Sequence, residues 1–495
     1  MRYEPGKSAV VGAVHGTGVH MSKRHAHPLG STVAVAVMLA LLGAHTVVEA
    51  SESTSTSTHA ESRSAKLSSD PLLAQLITQS LIARPEIASA KAIVQAERER
   101  VPQAGAMPDP MLQVGIQNDG FTSIEVGRMP TSYYSIMASQ TFPWPGKRAL
   151  SEQVVEYGAK QGNFGVERAR LSTQADVRRV YLGLILVRDR LEILDKLEKI
   201  WERSAGIARI RYEAGQGIQS DVMRSRLELE RLKQKRLALR VEERIRIQQL
   251  NRLRAHRLDE AIVTTVHVRD LPAVKPEDES SVVRQALARS PELAAARLRV
   301  TQSEKSIALA QRSYYPDITV SAGLMYRGTM MPPMWLLTLA APVPLFSGSK
   351  QSRNVAENEA RRVANQQSGD EIEQVLRLRV QERQAALASL SDVAHVYQSG
   401  LLQQSEATID STLSQFTVGK VSLVSVLEAN ASYLNDVDGY LQTLADAQRV
   451  QIDAGEVSLQ STPLSSNPGM NTGGMGSGST SSSGANATES SPAQM

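Results

Sequence analysis

The chain of 495 residues contains no cysteine. That excludes disulfides, thiolate metal sites, cysteine nucleophiles and the lipid-bearing cysteine of a lipoprotein. Aromatic residues are scarce at 4%, and Ala, Leu, Gln, Glu and Arg crowd the middle of the chain, the skew of a molecule made mostly of long helix. A large excess of either sign is also lacking: the formal net charge is only +4, with arginines interleaved among Glu and Gln. Such a pattern marks solvated helix faces and excludes a nucleic-acid surface. After Ser51 there is no run of roughly twenty apolar residues, so no transmembrane helix is expected. Most histidines fall before residue 60, leaving His256, His267 and His395 far apart. No catalytic triad, phosphate-cradling loop or carboxylate pair stands out, and neither an enzyme nor a cofactor site is expected.

Proline is also missing over two long spans, from Gly146 to Leu271 and from Leu345 to Thr462, while it clusters at 102–110, 130–145, 316 and 332–344. A proline inside a helix costs about 3 kcal/mol. The empty spans are therefore where very long helices can form. Gly215 and Gly217 divide the first into pieces of about 60 and 40 residues, and Gly419 divides the second; the longer pieces would reach about 90 Å.

What the chain has is a duplication. Arg84-Pro85-Glu86-Ile87-Ala88-Ser89-Ala90 returns as Ser290-Pro291-Glu292-Leu293-Ala294-Ala295-Ala296. Pro108-Asp109-Pro110 is answered by Pro316-Asp317-Ile318, and Ala214-Gly215 by Val418-Gly419. A period of roughly 200 residues is too long for a solenoid and reads as a repeated half-protein, with halves at 70–270 and 271–462.

The helix after Gly217 carries Ile218, Val222, Ser225, Leu229, Leu232, Arg236, Leu239, Glu243, Arg246, Leu250 and Leu253 at alternating steps of four and three, a coiled-coil seam with polar interruptions. Met223, Leu227, Leu237, Val241 and Ile245 form a second stripe on another face, so two neighbours are expected. In the second half Leu423, Leu427, Leu434, Val437, Leu441 and Leu444 keep the same spacing.

Strand patterns lie between the proline clusters. Leu112, Val114 and Ile116 alternate with Gln113, Gly115 and Gln117, and Ile318 to Tyr326 alternates likewise. Their partners are expected at about 132–141 and 334–341, near the 9 to 11 residues of a tilted membrane strand. Four strands cannot close a barrel, whereas three copies would supply twelve. Residues 1–50 read as an export signal whose true start is placed at Met1 or Met21, with a basic leader, an apolar run from Thr32 to Gly43 and small residues near Ala50. Residues 51–69 and 463–495 are patternless Ser-rich segments expected to be disordered.

Taken together, these residues resemble the TolC-like outer-membrane efflux family over nearly all of Asp70 to Gln460. The motifs are the Pro-Glu-(Ile/Leu)-x-x-Ala opening of each half, Gln140-Thr141-Phe142-Pro143-Trp144-Pro145-Gly146-Lys147-Arg148 with its counterpart Pro342-Val343-Pro344-Leu345-Phe346-Ser347-Gly348, and Tyr212-Glu213-Ala214-Gly215 with Phe416-Thr417-Val418-Gly419. The resemblance implies an α+β, mostly α protomer. In a homotrimer its long helices would form a periplasmic α-barrel, and its four strands would contribute to a 12-stranded barrel in outer-membrane lipid. It further implies a periplasmic adaptor protein and an inner-membrane pump, expected to be proton-driven, as partners. The wording around Met107 and Phe142 looks most like the heavy-metal branch, whose members are often lipoproteins, a point from which this chain departs. A duct serving type I protein secretion and an exported coiled-coil envelope scaffold are the alternatives.

By that resemblance the turns at Glu213–Ser220 and Thr417–Ser422 lie at the periplasmic mouth, with Gly215, Gly217, Gly419 and Lys420 as adaptor-docking residues. Family members carry acidic rings at the narrowing; the matching positions are Asp221 and Arg224 in the first half and Ser425 and Glu428 in the second. Three copies of Glu428 would attract cations, and Arg224 would pair with Glu428 to latch the closed state. The competing reading is an ordinary exposed helix charge, since such pairs contribute about 0 to 1 kcal/mol. Serine at 425 departs from a double acidic ring. Methionines 107, 111, 129, 137, 325, 330, 331 and 334 gather beside the strands; thioether sulfur suits Cu(I), but methionine as a filler of barrel and loop surfaces is the preferred reading.

Overall fold

Side-chain caps at Asp70, Asp278, Ser290 and Ser422 open four of the helices. In the computed structural model, which describes residues 70–272 and 274–462, Asp70 accepts from the Leu72 N–H at 2.9 Å and opens α1 (Pro71–Ala83). Pro85 opens α2 (Pro85–Gly105), a position where its missing N–H costs nothing. Strands β1 (Met111–Gln117) and β2 (Tyr133–Phe142) follow, then α3 (Lys147–Glu213) and α4 (Gln219–Leu253). Beyond a 3-10 turn at Val268–Asp270 the same order returns: α5 (Glu279–Arg289), α6 (Pro291–Arg312), β3 (Ile318–Tyr326), β4 (Met334–Ala340), α7 (Gln351–Val396), α8 (Leu402–Thr417) and α9 (Leu423–Glu456). The expected signal, linker and tail at 1–50, 51–69 and 463–495 lie outside the described residues.

Helix α3 has 67 residues, about 100 Å at 1.5 Å per residue. Its middle turns are buried all round: Val177, Tyr181, Leu182, Leu184 and Ile185 meet Leu73 and Leu76 of α1, Leu250 and Leu253 of α4, and Leu441, Leu444 and Ile452 of α9. Tyr181 donates to the Asp70 carboxylate, so one carboxylate both caps α1 and ties it to α3. Along α4 the first seam packs inward, with Val222, Ser225, Leu232, Leu250 and Leu253 buried. Its polar interruptions are answered from α3: Arg236 pairs with Asp195 at 2.8 Å and with Glu198, and Glu243 pairs with Arg188 at 2.7 Å. Arg246 lies against Gly183, where an added Cβ would stand 3.2 Å from its Nε.

The helix before Gly419 runs without a break from α7 into α8, with a π turn at Tyr397–Leu401 between them. Such a turn inserts one residue into the helical ladder. Here it turns Tyr397 toward α9, with its ring 6.1 Å from that of Tyr440. Gly439 makes the space: a Cβ there would fall 2.4 Å from the Tyr397 hydroxyl.

The four strands form one antiparallel sheet in the order β1-β2-β3-β4. β1 and β4 have 7 residues each, below the about 9 to 11 of a tilted membrane strand. Both are edge strands, with Pro108 and Pro110 before β1 and Pro332, Pro333 and Pro342 flanking β4, the sheet positions where proline is tolerated.

Candidate functional site

Pairing register sorts the sheet residues into rows. Leu112, Ala138, Ala322 and Leu337 stand side by side, as do Val114, Ile136, Leu324 and Trp335, and Ile116 with Tyr134 and Tyr326. Every residue in these rows is exposed, Trp335 at 76% and Val114 at 74%. The opposite face carries Gln113, Gly115, Gln117, Ser135, Ser139, Ser321, Gly323 and Thr338, together with Met111, Tyr133, Met137, Met325, Met334 and Leu336; Met325 sits directly across from Met334. One face is mainly apolar and the other mixes small and polar residues with methionines, the alternation of a membrane barrel wall. A contiguous apolar patch on this scale is not left to water.

At the near end of the sheet, the Trp144-Pro145-Gly146-Lys147 motif joins strand to helix. Asp317 accepts from the Trp144 N–H at 2.8 Å and from Lys147 Nζ at 2.7 Å. The Trp144 ring stacks on Tyr315 with centroids 5.0 Å apart. Gly146 takes φ +88° just before α3. Both halves therefore meet at one junction. At the far end the two hairpin loops touch through glycines, and a Cβ on Gly328 would lie 2.4 Å from the Gly127 Cα.

The helix turns at the other extreme share one backbone geometry. Gly215 and Gly419 take φ +70° and +76°. The Gln216 N–H reaches the Arg211 carbonyl at 2.8 Å, and the Lys420 N–H reaches that of Gln415 at 2.9 Å. This is the Schellman closure, which needs a left-handed residue. Gly217 is required for another reason: a Cβ would sit 3.1 Å from the Tyr212 nitrogen. Lys420, Ile218 and Val418 are exposed beside the turns.

Asp221 lies in the first turn of α4, and Ser425 donates its N–H to the Ser422 hydroxyl that caps α9. Ser425 thus belongs to a cap. Arg224 and Glu428 are exposed, and among the described residues of one chain no ion pair joins them. A residue absent from the sequence expectations connects the two turns instead. Arg211 donates through Nη1 to the Phe416 carbonyl at 3.0 Å and through Nη2 to the Gln216 carbonyl at 3.3 Å, with its guanidinium carbon 5.2 Å from the Phe416 ring centroid. Gly419 leaves room for it, since a Cβ there would stand 3.0 Å from Nη2.

Between these ends the second stripe of α4 faces outward. Met223, Leu227, Leu237, Val241 and Ile245 are 45–65% exposed along a helix whose other seam is already filled. His267, isolated in the sequence, lies beside Asp189 and Glu192 of α3, close enough for the three to share an ion. Their existing partners oppose that: Asp189 accepts from the Val268 N–H at 2.8 Å, and Glu192 is held by Lys196 and Arg269. The group works as a clasp that fastens the 3-10 turn to α3.

Residues 282–460 match the family model described as outer membrane efflux protein. The fold is shared with CusC, described as forming a transmembrane channel (TM-score 0.66, 18% identity, 79% of this chain and 92% of that one). It is shared with the outer-membrane channel OprN (0.65, 18%, 80% and 92%) and with the open state of the Neisseria gonorrhoeae outer membrane channel MtrE (0.64, 17%, 82% and 93%). No curated protein matches the sequence. The fold is that of the TolC-like outer-membrane channels.

Proposed function

We propose that this protein is the outer-membrane exit duct of a tripartite efflux system, acting as a homotrimer. The observation that carries the reading is the sheet: one exposed apolar face and two unpaired edges, β1 and β4, on a chain whose helices run about 100 Å. In three copies β4 of one chain pairs with β1 of the next, which removes every edge. The outward stripe of α4 supplies the matching seam between helices of adjacent chains. Energy comes from an inner-membrane pump, and the exposed turns around Gly215 and Gly419 are the docking points for a periplasmic adaptor.

Heavy-metal ions are the proposed cargo. The support is the wording of the Met107 and Phe142 motifs, joined by the placement of Met137, Met325 and Met334 on the face that would line the barrel. The decisive experiment is fractionation followed by sizing in detergent. A trimer from the outer-membrane fraction that forms pores in planar bilayers supports the duct, and a water-soluble, almost wholly helical monomer refutes it. A deletion strain challenged with copper, silver, zinc, cobalt and dyes then tests the cargo, since sensitivity confined to dyes removes the metal reading and leaves the duct.

A further inference from the structure

Two adjoining cavities lie where α3, α5, α7 and α9 approach the segment after Leu271. The larger, of about 690 Å³, is bordered by Arg178 of α3, by Lys275 and Arg289, and by the amides of Gln174 and Gln451. The smaller, of about 280 Å³, shares Lys275, Arg289 and Gln451 with it and adds Arg383 of α7. Four basic side chains therefore line one joined space, against a single acidic residue, Glu277.

Arg383 keeps one buried guanidinium donor that no protein group takes, and Arg178 has donors free to meet a ligand. Arg178 is half-buried, no charged or hydrogen-bonding group of the described residues shifts its pKa, and burial alone holds it below the usual arginine value. Arg383 is 5% exposed. Its Nη2 donates to the Ser458 carbonyl at 2.7 Å and the Gln460 carbonyl at 3.2 Å, while its Nε is buried with no partner. The carboxylates of this region are already engaged, Asp453 by Arg179 and Glu456 by Arg179 and Arg168.

We propose that the joined cavities bind an anion with two or more carboxylate or phosphate groups, Arg178 taking one group in the larger cavity and Arg383 another in the smaller. Planar guanidinium groups suit either oxyanion through paired N–H donors. Lys275 and Arg289 add charge at the exposed lip, and the glutamine amides supply neutral donors. The site is independent of the duct reading, because it is complete within one chain.

The test uses the full-length protein, with citrate and pyrophosphate as probes against chloride at matched ionic strength, followed by calorimetry and thermal melting. Saturable binding of either probe is expected. Citrate alone would assign a polycarboxylate ligand, and pyrophosphate alone a phosphate-bearing one. Arg178→Gln should weaken binding by about tenfold or more, the loss of one charged hydrogen bond, without lowering the melting temperature in chloride, since it breaks no internal contact. Arg383→Gln also cuts the bonds to Ser458 and Gln460, so the Arg178 variant decides. Equal, unsaturable responses to all salts would overturn the proposal. So would an Arg178→Gln protein that melts lower yet binds as before, or one that fails to assemble because a second copy fills the space.

Discussion

Arg211 is the side chain through which one helix turn reaches the other. Replacing it with alanine removes two charge-assisted bonds to carbonyls, each worth about 1.5 to 3 kcal/mol, and uncovers the Phe416 ring. Arg211→Ala should therefore raise hydrogen exchange at both 211–219 and 415–423, while Arg211→Lys, which cannot span both carbonyls, should restore protection at one turn only. Protection unchanged at 415–423 would refute the clamp. At the gate positions the expectation is narrower: in the trimer Glu428→Ala should raise single-channel conductance, and identical conductance would count against a charged constriction.

Asp446 offers a residue-scale reading of pH. Burial pushes its carboxyl above the ordinary range, offset in part by Gln442 and Arg449. A folded pKa above the unfolded one means that its contribution is fully present below the unfolded value of about 3.9 and is lost as pH rises through the folded value. Asp446→Asn keeps an oxygen for Gln442 and Arg449 but cannot ionise. Its stability relative to the parent should therefore improve as pH rises from about 4, as measured by denaturant titration at each pH.

At the scale of elements, the two faces of α4 were legible from spacing alone, because a seam is a local periodicity. The structure fills one seam from α3 and leaves the other open. Leu237→Glu and Val241→Glu should leave helix content unchanged by circular dichroism yet abolish the trimer in detergent. The tight turns were legible for the same local reason, since a left-handed Schellman position calls for glycine. The strand pairs were legible too, to within a residue at each end, because side-chain alternation is itself a local period. What could not be read were the links between distant positions. Arg211 meets Phe416 across 205 residues and His267 meets Asp189 across 78, and no pattern along the chain encodes either. The π turn escaped as well, because its signal is a tyrosine whose room is made by Gly439 on another helix. Gly439→Ala should cost about 1 to 3 kcal/mol by overpacking, and Tyr397→Phe should recover part of that loss in a double-mutant cycle.

At the scale of the whole molecule, the division of the sheet into an apolar and a polar face has a direct test. Trp335→Arg places a charge within the row of Val114, Ile136 and Leu324, and should destabilise the membrane-inserted form by about 2 to 4 kcal/mol if that row lies at the bilayer midplane. Thr338→Arg, on the opposite face, should be tolerated. Heat-modified mobility of outer-membrane fractions reads both, and equal tolerance of the two would mean that the apolar rows do not face lipid. The duplicated order of elements was visible in the sequence because its landmarks are prolines and glycines fixed by backbone geometry. The proposed closure by three chains rests on open edges and an open seam, which belong to no single residue.

The two Schellman turns match in backbone while their neighbours differ, Tyr212 against Phe416 and Asp221 against Ser425. A ring of three such chains would offer six near-identical knuckles arranged as alternating kinds. A collar that felt only their contour could settle at every sixth of a rotation, whereas one that also felt their chemistry would find half of those seats wrong. The repeat thus lends this rim a sixfold outline with a threefold key cut into it.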